Sequence, residues 1–240
     1  MDTILRLAFS FGSFGIPSLR FTECARLETG KTSLTASNGS DYRGTTRSGG
    51  NVAAIARTTT DTGTMWAATT TGRVFISKNA DDSTANNVTY ARLDKLPSAT
   101  ASPGRFISGI SIDPANPNHA WLSYSSYSAL TPSTPGHVFE VTYDPTANGG
   151  AGDATWVSLD GSGTTAFPDF PATSIARDTN GDLYVSNDWG VLRLPSGSAD
   201  WAVAGTGLPM VEVTGLTIVP SARKLYAATH GRSAWHLTLP

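Results

Sequence analysis

EVTGLTIVPSARKLYAATHGRSAWHLTLP, residues 212–240, reads as three short strands in a meander. VTGLTIV (213–219) comes first, KLYAAT (224–229) follows the turn PSAR, and SAWHLTL (233–239) follows a tight turn at His230-Gly231. Each run is four to seven residues long, rich in β-branched and aromatic types, and bounded by Gly or Pro, which is the signature of antiparallel strands joined by turns.

Working outward from this end, the same unit occurs three more times. Residues 51–78 hold NVAAIARTTTDTGTMWAATTTGRVFISK, 106–143 hold FISGISIDPANPNHAWLSYSSY, an insert and GHVFEVTY, and 171–194 hold PATSIARDTNGDLYVSNDWGVLRL. The first strands align on Ile55, Ile110, Ile175 and Leu216, the second on Trp66, Trp121, Tyr184 and Tyr226, and the turn to the third on Gly72, Gly136, Gly190 and Gly231. Anchor to aromatic measures 11, 11, 9 and 10 residues; aromatic to Gly measures 6, 15, 6 and 5, the 15 reflecting the insert 125–135. A fourth strand follows three of the units at 89–93, 155–159 and 200–204, each with an early aromatic (Tyr90, Trp156, Trp201), and the last unit has none.

Four antiparallel strands repeated in this way predict an all-β chain, a β-propeller of about four blades, three complete and one incomplete. The blades are expected at about 50–95, 104–160, 166–205 and 209–240. AAIA, GISI, TSIA and GLTI are small and apolar, which predicts innermost strands buried on both faces. The aromatics of the second and fourth strands are expected to fill the space between neighbouring blades.

Composition agrees with many short strands and turns: 24 Gly and 14 Pro, and only 15% charged residues against roughly 25% in an average domain. A net charge of −2 gives no electrostatic case for nucleic acid or an anionic membrane as partner. Cys24 is the only cysteine, so stability comes from packing and not from an intrachain disulfide. Low charge with abundant Thr, Asn and Gly leans towards an exported bacterial protein.

Residues 1–48 lack the repeat and read as an atypical segment or linker, with Ile4–Phe9 or Lys31–Ala36 as an added strand, or as sequence from a junction. Leu5–Ile16 is interrupted by Arg6, two Ser and two Gly and is too short to span a bilayer. Asp2 opens it and no small-x-small cleavage site follows, so it reads as a surface strand or leader rather than a signal peptide.

ISIDPANPNHAWLSYS (110–125) and LYAATHGRSAWHL (225–237) carry a resemblance to the BNR, or sialidase-like, propellers. The resemblance covers roughly 50–240 and implies architecture more than activity. The Asp-box of that family is degenerate in SKNADDSTANNVTY (77–90), GGAGDATW (149–156) and SGSADW (196–201). No arginine triad with a Tyr–Glu pair can be matched, since Glu occurs only at 23, 28, 140 and 212, so no sialidase catalytic residue is carried over. SIARDTNGDLYVSNDWGVLRL (174–194) also resembles a repeat of the calcium-dependent lactonase and phosphotriesterase propellers, which implies Asn187 and Asp188 as ligands of calcium or another divalent ion.

Such propellers usually have six to eight blades. The chain is therefore expected either to form a small closed ring or to pair as half-rings, a homodimer or higher oligomer in which exposed Val, Ile and Trp flanks meet. Sites in propellers lie on the face that carries the turns from second to third strand and the blade-to-blade loops. That face collects Arg73, His137, Asn187, Asp188, His230 and Arg232 from the turns, and Arg105, Asp169 and Glu212 from the loops. His230, Asp188, Asp169 and Arg232 are the candidate catalytic set, since a carboxylate with a His can activate water and Arg can stabilise a developing anion. Arg73, His137, Glu212, Tyr124 and Tyr127 are the candidate substrate contacts. Asp188, Asn187, Asp169 and Glu212 could hold a hard cation, and a His-bearing set could take zinc. His119 falls on the opposite face and reads as structural. The functional expectation is a hydrolase, of glycosides by the wider resemblance, or of esters, lactones or phosphotriesters with a divalent metal by the local one. The alternatives are a carbohydrate- or protein-binding propeller without catalysis and a propeller fragment that self-assembles.

Overall fold

The computed structural model describes residues 51–240; the expectations for residues 1–48 lie outside the described residues. Four antiparallel sheets follow one another along the chain as the blades of a β-propeller. Blade 1 comprises β1 (Val52–Arg57), β2 (Met65–Thr69), β3 (Val74–Ser77) and β4 (Ala91–Arg92). Blade 2 comprises β5 (Ile107–Asp113), β6 (Asn116–Tyr124), β7 (Val138–Asp144) and β8 (Asp153–Ser158). Blade 3 comprises β9 (Ala172–Arg177), β10 (Leu183–Asn187), β11 (Gly190–Leu194) and β12 (Ala202–Val203). Blade 4 has three strands among the described residues, β13 (Val213–Val219), β14 (Lys224–Thr229) and β15 (Ala234–Thr238). No helix among the described residues is long and apolar enough to cross a membrane.

The first strands of consecutive blades, β1, β5, β9 and β13, pack side by side in series, whereas β1 and β13, at the two ends of the series, do not pack in this way. Hydroxyl side chains stitch the series together. Thr173 Oγ1 donates to the Val213 carbonyl, and Ser174 Oγ accepts the Leu216 N–H at 3.2 Å. These inner strands are only half-buried; β2, β3 and β10 are buried throughout. That corrects the expectation of innermost strands buried on both faces. Their small side chains serve close lateral approach, and the bulk of the core lies further out, between blades.

The interblade core is directional. Trp66 of blade 1 is buried within a cluster containing Leu122 and Tyr124 of blade 2, and its indole donates to the Pro117 carbonyl at 2.8 Å. Trp121 of blade 2 is covered by Ile175 and Val185 of blade 3, with the Arg177 guanidinium 4.3 Å above its ring. Tyr184 of blade 3 is covered by Val213 and Leu225 of blade 4. Each blade thus buries the second-strand aromatic of the one before it. Tyr226, the equivalent residue of blade 4, is covered by no other blade among the described residues and is 43% exposed. The fourth-strand aromatics Trp156 and Trp201 fill the same spaces, as expected.

One ion pair ties blades 3 and 4 on the face opposite the candidate site. Arg223, in a left-handed turn with φ 48°, donates from both terminal nitrogens to the buried Asp178 carboxylate, at 2.8 and 2.7 Å. Hydrogen bonding to Arg223 holds the Asp178 carboxyl below the usual carboxylate range. A carboxyl lowered in the folded state stabilises above its unfolded pKa and loses that contribution as pH falls through the folded value. Asp178→Asn should therefore lower the melting temperature at neutral pH, and the deficit against the parent should shrink as the pH falls below the usual carboxylate range; thermal unfolding followed by circular dichroism across that range measures it.

Candidate functional site

The turns from second to third strand and the blade-to-blade loops share one face, and a recurring backbone bond holds them together. Thr70 N–H donates to the Asn51 carbonyl, Ser125 N–H to Phe106, and His230 N–H to Glu212, at 2.9, 2.8 and 2.9 Å. The face gathers the candidate residues into separate groups rather than one ring.

The first group is a buried clamp under the insert of blade 2. His137 is buried, with Nδ1 3.1 Å from Asp160 Oδ2. Asp160 also accepts the backbone N–H groups of His137 and Val138. His137 Nε2 lies 3.1 Å from Asp169 Oδ1, without hydrogen-bond alignment. Asp169 in turn accepts the Ser128 N–H at 2.7 Å, which pins the insert. Arg105 is buried beside them; its Nη2 donates to the Gly136 carbonyl, and burial, opposed by Asp160 and Asp169, lowers its pKa. Asp169 and His137 therefore work on the insert, apart from Asp188 and His230. Gly136 at φ 116° permits the turn, and a Cβ there would stand 2.8 Å from the Phe139 ring.

Tyr124 is also part of the interior. β6 runs on through Tyr124, so strand alternation turns Tyr124 and Leu122 towards blade 1 and Trp121 towards blade 3. Burial pushes its hydroxyl up to about 12, and that hydroxyl accepts the Trp156 indole N–H at 3.2 Å. It presents nothing to a substrate, which corrects its assignment as a contact. Tyr127 stays exposed at the edge of the insert. Arg73 is half-buried in blade 1, where burial and the neighbouring Arg92 lower its pKa while Asp94 opposes them. His119 lies on the opposite face between Asp113, 3.1 Å from Nδ1, and Glu140, 2.7 Å from Nε2.

The second group lies where blades 3 and 4 meet. Asn187 caps the turn from β10 to β11, its Oδ1 accepting the Trp189 N–H at 2.8 Å. Asp188, the next residue, makes no hydrogen bond or ion pair with the described residues. Partial burial and the nearby Glu212 raise its pKa above the ordinary carboxylate value. Glu212 Oε2 lies 3.0 Å from His230 Nδ1. Arg232, two residues beyond His230, is exposed, and its carbonyl accepts the Trp235 indole N–H at 2.9 Å. Among the described residues no three His, Cys, Asp or Glu side chains gather where they could hold a metal ion. Asn187 and Asp188 supply two oxygen groups, one already engaged in the turn.

Beside this group opens a cleft of about 350 Å³ between the outer halves of blades 3 and 4. Phe170, Trp189, Met210, Trp235 and His236 line it, over a floor that includes Val191 and Leu225. Phe170 and Trp189 stack at 5.6 Å with an interplanar angle of 28°, and Trp189 is 51% exposed. Asp188 sits between two cleft residues, Asn187 and Trp189, and Glu212 follows two residues after Met210. Sequence reasoning passed over this aromatic wall. The available signal was Trp189 itself, a large aromatic in a tight turn, where strand packing cannot bury it.

No protein family model and no curated protein sequence matches the chain. Among solved structures, the β-propeller domain of Cps50 (Swd1) from Myceliophthora thermophila is similar, with TM-score 0.52 and 11% identity over 79% of this chain and 53% of that one. The extracellular domain of a hybrid two-component system from B. thetaiotaomicron is similar with TM-score 0.50 and 14% identity over 78% of this chain and 21% of that one. An ancestral GH74 enzyme matches with TM-score 0.45 and 21% identity over 75% of this chain and 22% of its own, too distant to carry an argument. These likenesses speak to the propeller fold alone. The chain spans about half the length of the Cps50 domain and about a fifth of the two-component domain.

Tyr124→Phe should destabilise the protein by about 1 kcal/mol, the worth of one buried hydrogen bond, and leave any ligand affinity unchanged. Chemical denaturation paired with a binding measurement on the same variant checks both halves.

Proposed function

We propose that the chain acts on glycans at the junction of blades 3 and 4, as a hydrolase of glycosidic bonds. The observation that supports this reading most is Asp188: a carboxyl with no structural partner, held towards its protonated form, in a turn that also places Trp189 on an aromatic-lined cleft. Exposed indole and phenyl faces suit the apolar faces of sugar rings, and glycoside hydrolysis calls for one protonated and one ionised carboxyl flanking the bond. In this assignment Asp188 donates its proton to the leaving-group oxygen. Glu212, positioned by His230, supplies the second carboxylate, as base towards water or as nucleophile. Asn187 fixes the turn, and Arg232, exposed two residues beyond His230, is the cation available to a developing anion. The half-exposed stack of Phe170 on Trp189 also favours a second reading, glycan binding without turnover.

A panel of aryl glycosides, aryl esters, a lactone and an aryl phosphotriester, run with and without chelator, tests the assignment. Glycoside turnover indifferent to chelator is expected, and Asp188→Asn should reduce it about 100-fold or more. Because an acid catalyst must carry its proton, parent activity should fall as pH rises through the raised Asp188 pKa, and Asp188→Asn should lack that alkaline limb. Glycan binding lost in Trp189→Ala, with no turnover of any substrate, would select the second reading. Chelator-sensitive ester or phosphotriester turnover would overturn both.

A further inference from the structure

The packing between blades obeys a rule that can be followed past the end of the chain. Each inner strand has an irregularity near its start, after which come Ala54, Gly109, Ser174 and Gly215 in blades 1 to 4. The residue at this position meets the next blade at the position one further along its own inner strand. A Cβ on Gly109 of blade 2 would stand 3.0 Å from Ile175 Cγ2 and 3.1 Å from Ile175 N of blade 3. Ser174 of blade 3 hydrogen-bonds the Leu216 N–H of blade 4. Gly215 of blade 4 breaks the series: no atom of the described residues lies within 4 Å of a Cβ built there. The residue that the rule would bring against it is Ile55 of blade 1, which is 45% exposed, whereas its equivalent Ile175 is buried. The second-strand aromatics point the same way, since Tyr226 alone of the four lacks the cover that the next blade provides.

We propose that a second copy of the chain supplies that cover. Blade 1 of one copy packs its Ile55 into the space over Gly215 and against Tyr226 of the other, and the reciprocal contact closes two half-rings into one ring of eight blades. A two-fold ring of this kind satisfies both ends at once. It buries inner-strand surface of the kind already used three times within each chain. The inference is independent of the glycosidase reading, because it rests on the inner strands and not on the turns of blades 3 and 4.

Two measurements on the full chain test it. Light scattering should give about twice the chain mass of 25.1 kDa. Gly215→Trp should return a particle of one chain mass with unchanged far-ultraviolet circular dichroism, since the described residues leave the site open. Second, Ile55→Cys with Gly215→Cys, in a Cys24→Ser background, should oxidise to a covalent dimer, since at the equivalent packed position a Cβ on Gly109 stands 3.1 Å from the Ile175 nitrogen. A cross-link within one chain would show a closed four-bladed ring and overturn the proposal. A monomer with no cross-link would assign the flank to another occupant and overturn it equally.

Discussion

The dependence of each blade on its successor governs this molecule. A four-stranded antiparallel sheet can pair its backbone internally, yet its second-strand aromatic projects from one face and must find cover. Trp66, Trp121 and Tyr184 find it in blades 2, 3 and 4. The core is therefore a chain of one-way contacts, each burying a large ring against small and branched side chains of the next inner and second strands. Burial of such a side chain is worth roughly 2–3 kcal/mol, so the contacts between blades, rather than those within them, carry much of the stability. The polar links follow the same course: Asp178 of blade 3 reaches Arg223 of blade 4, and Trp66 of blade 1 reaches the Pro117 carbonyl of blade 2.

That arrangement positions the candidate site. Because strands leave and enter each blade on one face, successive turns converge there, and the backbone bond from His230 to Glu212 fixes the loop entering blade 4 against its second turn. Asp188 then approaches Glu212 from blade 3. Like charges brought together with partial loss of solvent raise the pKa of one of them. A carboxyl arranged in this way without an ion-pair partner costs stability, and such groups recur where chemistry needs them. The clamp of His137, Asp160 and Asp169 contrasts with it, since there both carboxylates have structural partners, Asp160 at the start of β7 and Asp169 on the insert.

Much of the architecture was legible in the sequence because it is written four times. Equal spacing from Ile55 to Trp66 and from Ile110 to Trp121 is a statement about strand length and turn length, and physics leaves few ways to satisfy it. The degree of burial was less legible. Inner strands of small residues suggested complete enclosure, yet GISI is small because the neighbouring inner strand approaches closely, as the contact of Gly109 with Ile175 shows. Tyr124 depended on one additional residue of β6, and a shift of that size decides which face a side chain takes. Asp160 was invisible as the partner of His137, because a contact between residues 23 apart arises from the blade and from no local pattern. The cleft was overlooked for a related reason: its wall combines Phe170, Trp189, Met210 and Trp235, which come from three loops and one strand and converge only in the fold.

The functional account rests on one carboxyl, and its ionisation can be observed directly. Carbon-13 NMR of the Asp188 side chain, titrated in the intact protein and again in Glu212→Gln, is the most direct measurement. A midpoint above the ordinary aspartate range that moves down when the Glu212 charge is removed is the result this structure predicts. An ordinary or lowered midpoint, indifferent to Glu212, would contradict the assignment of Asp188 as the acid and with it the proposed site.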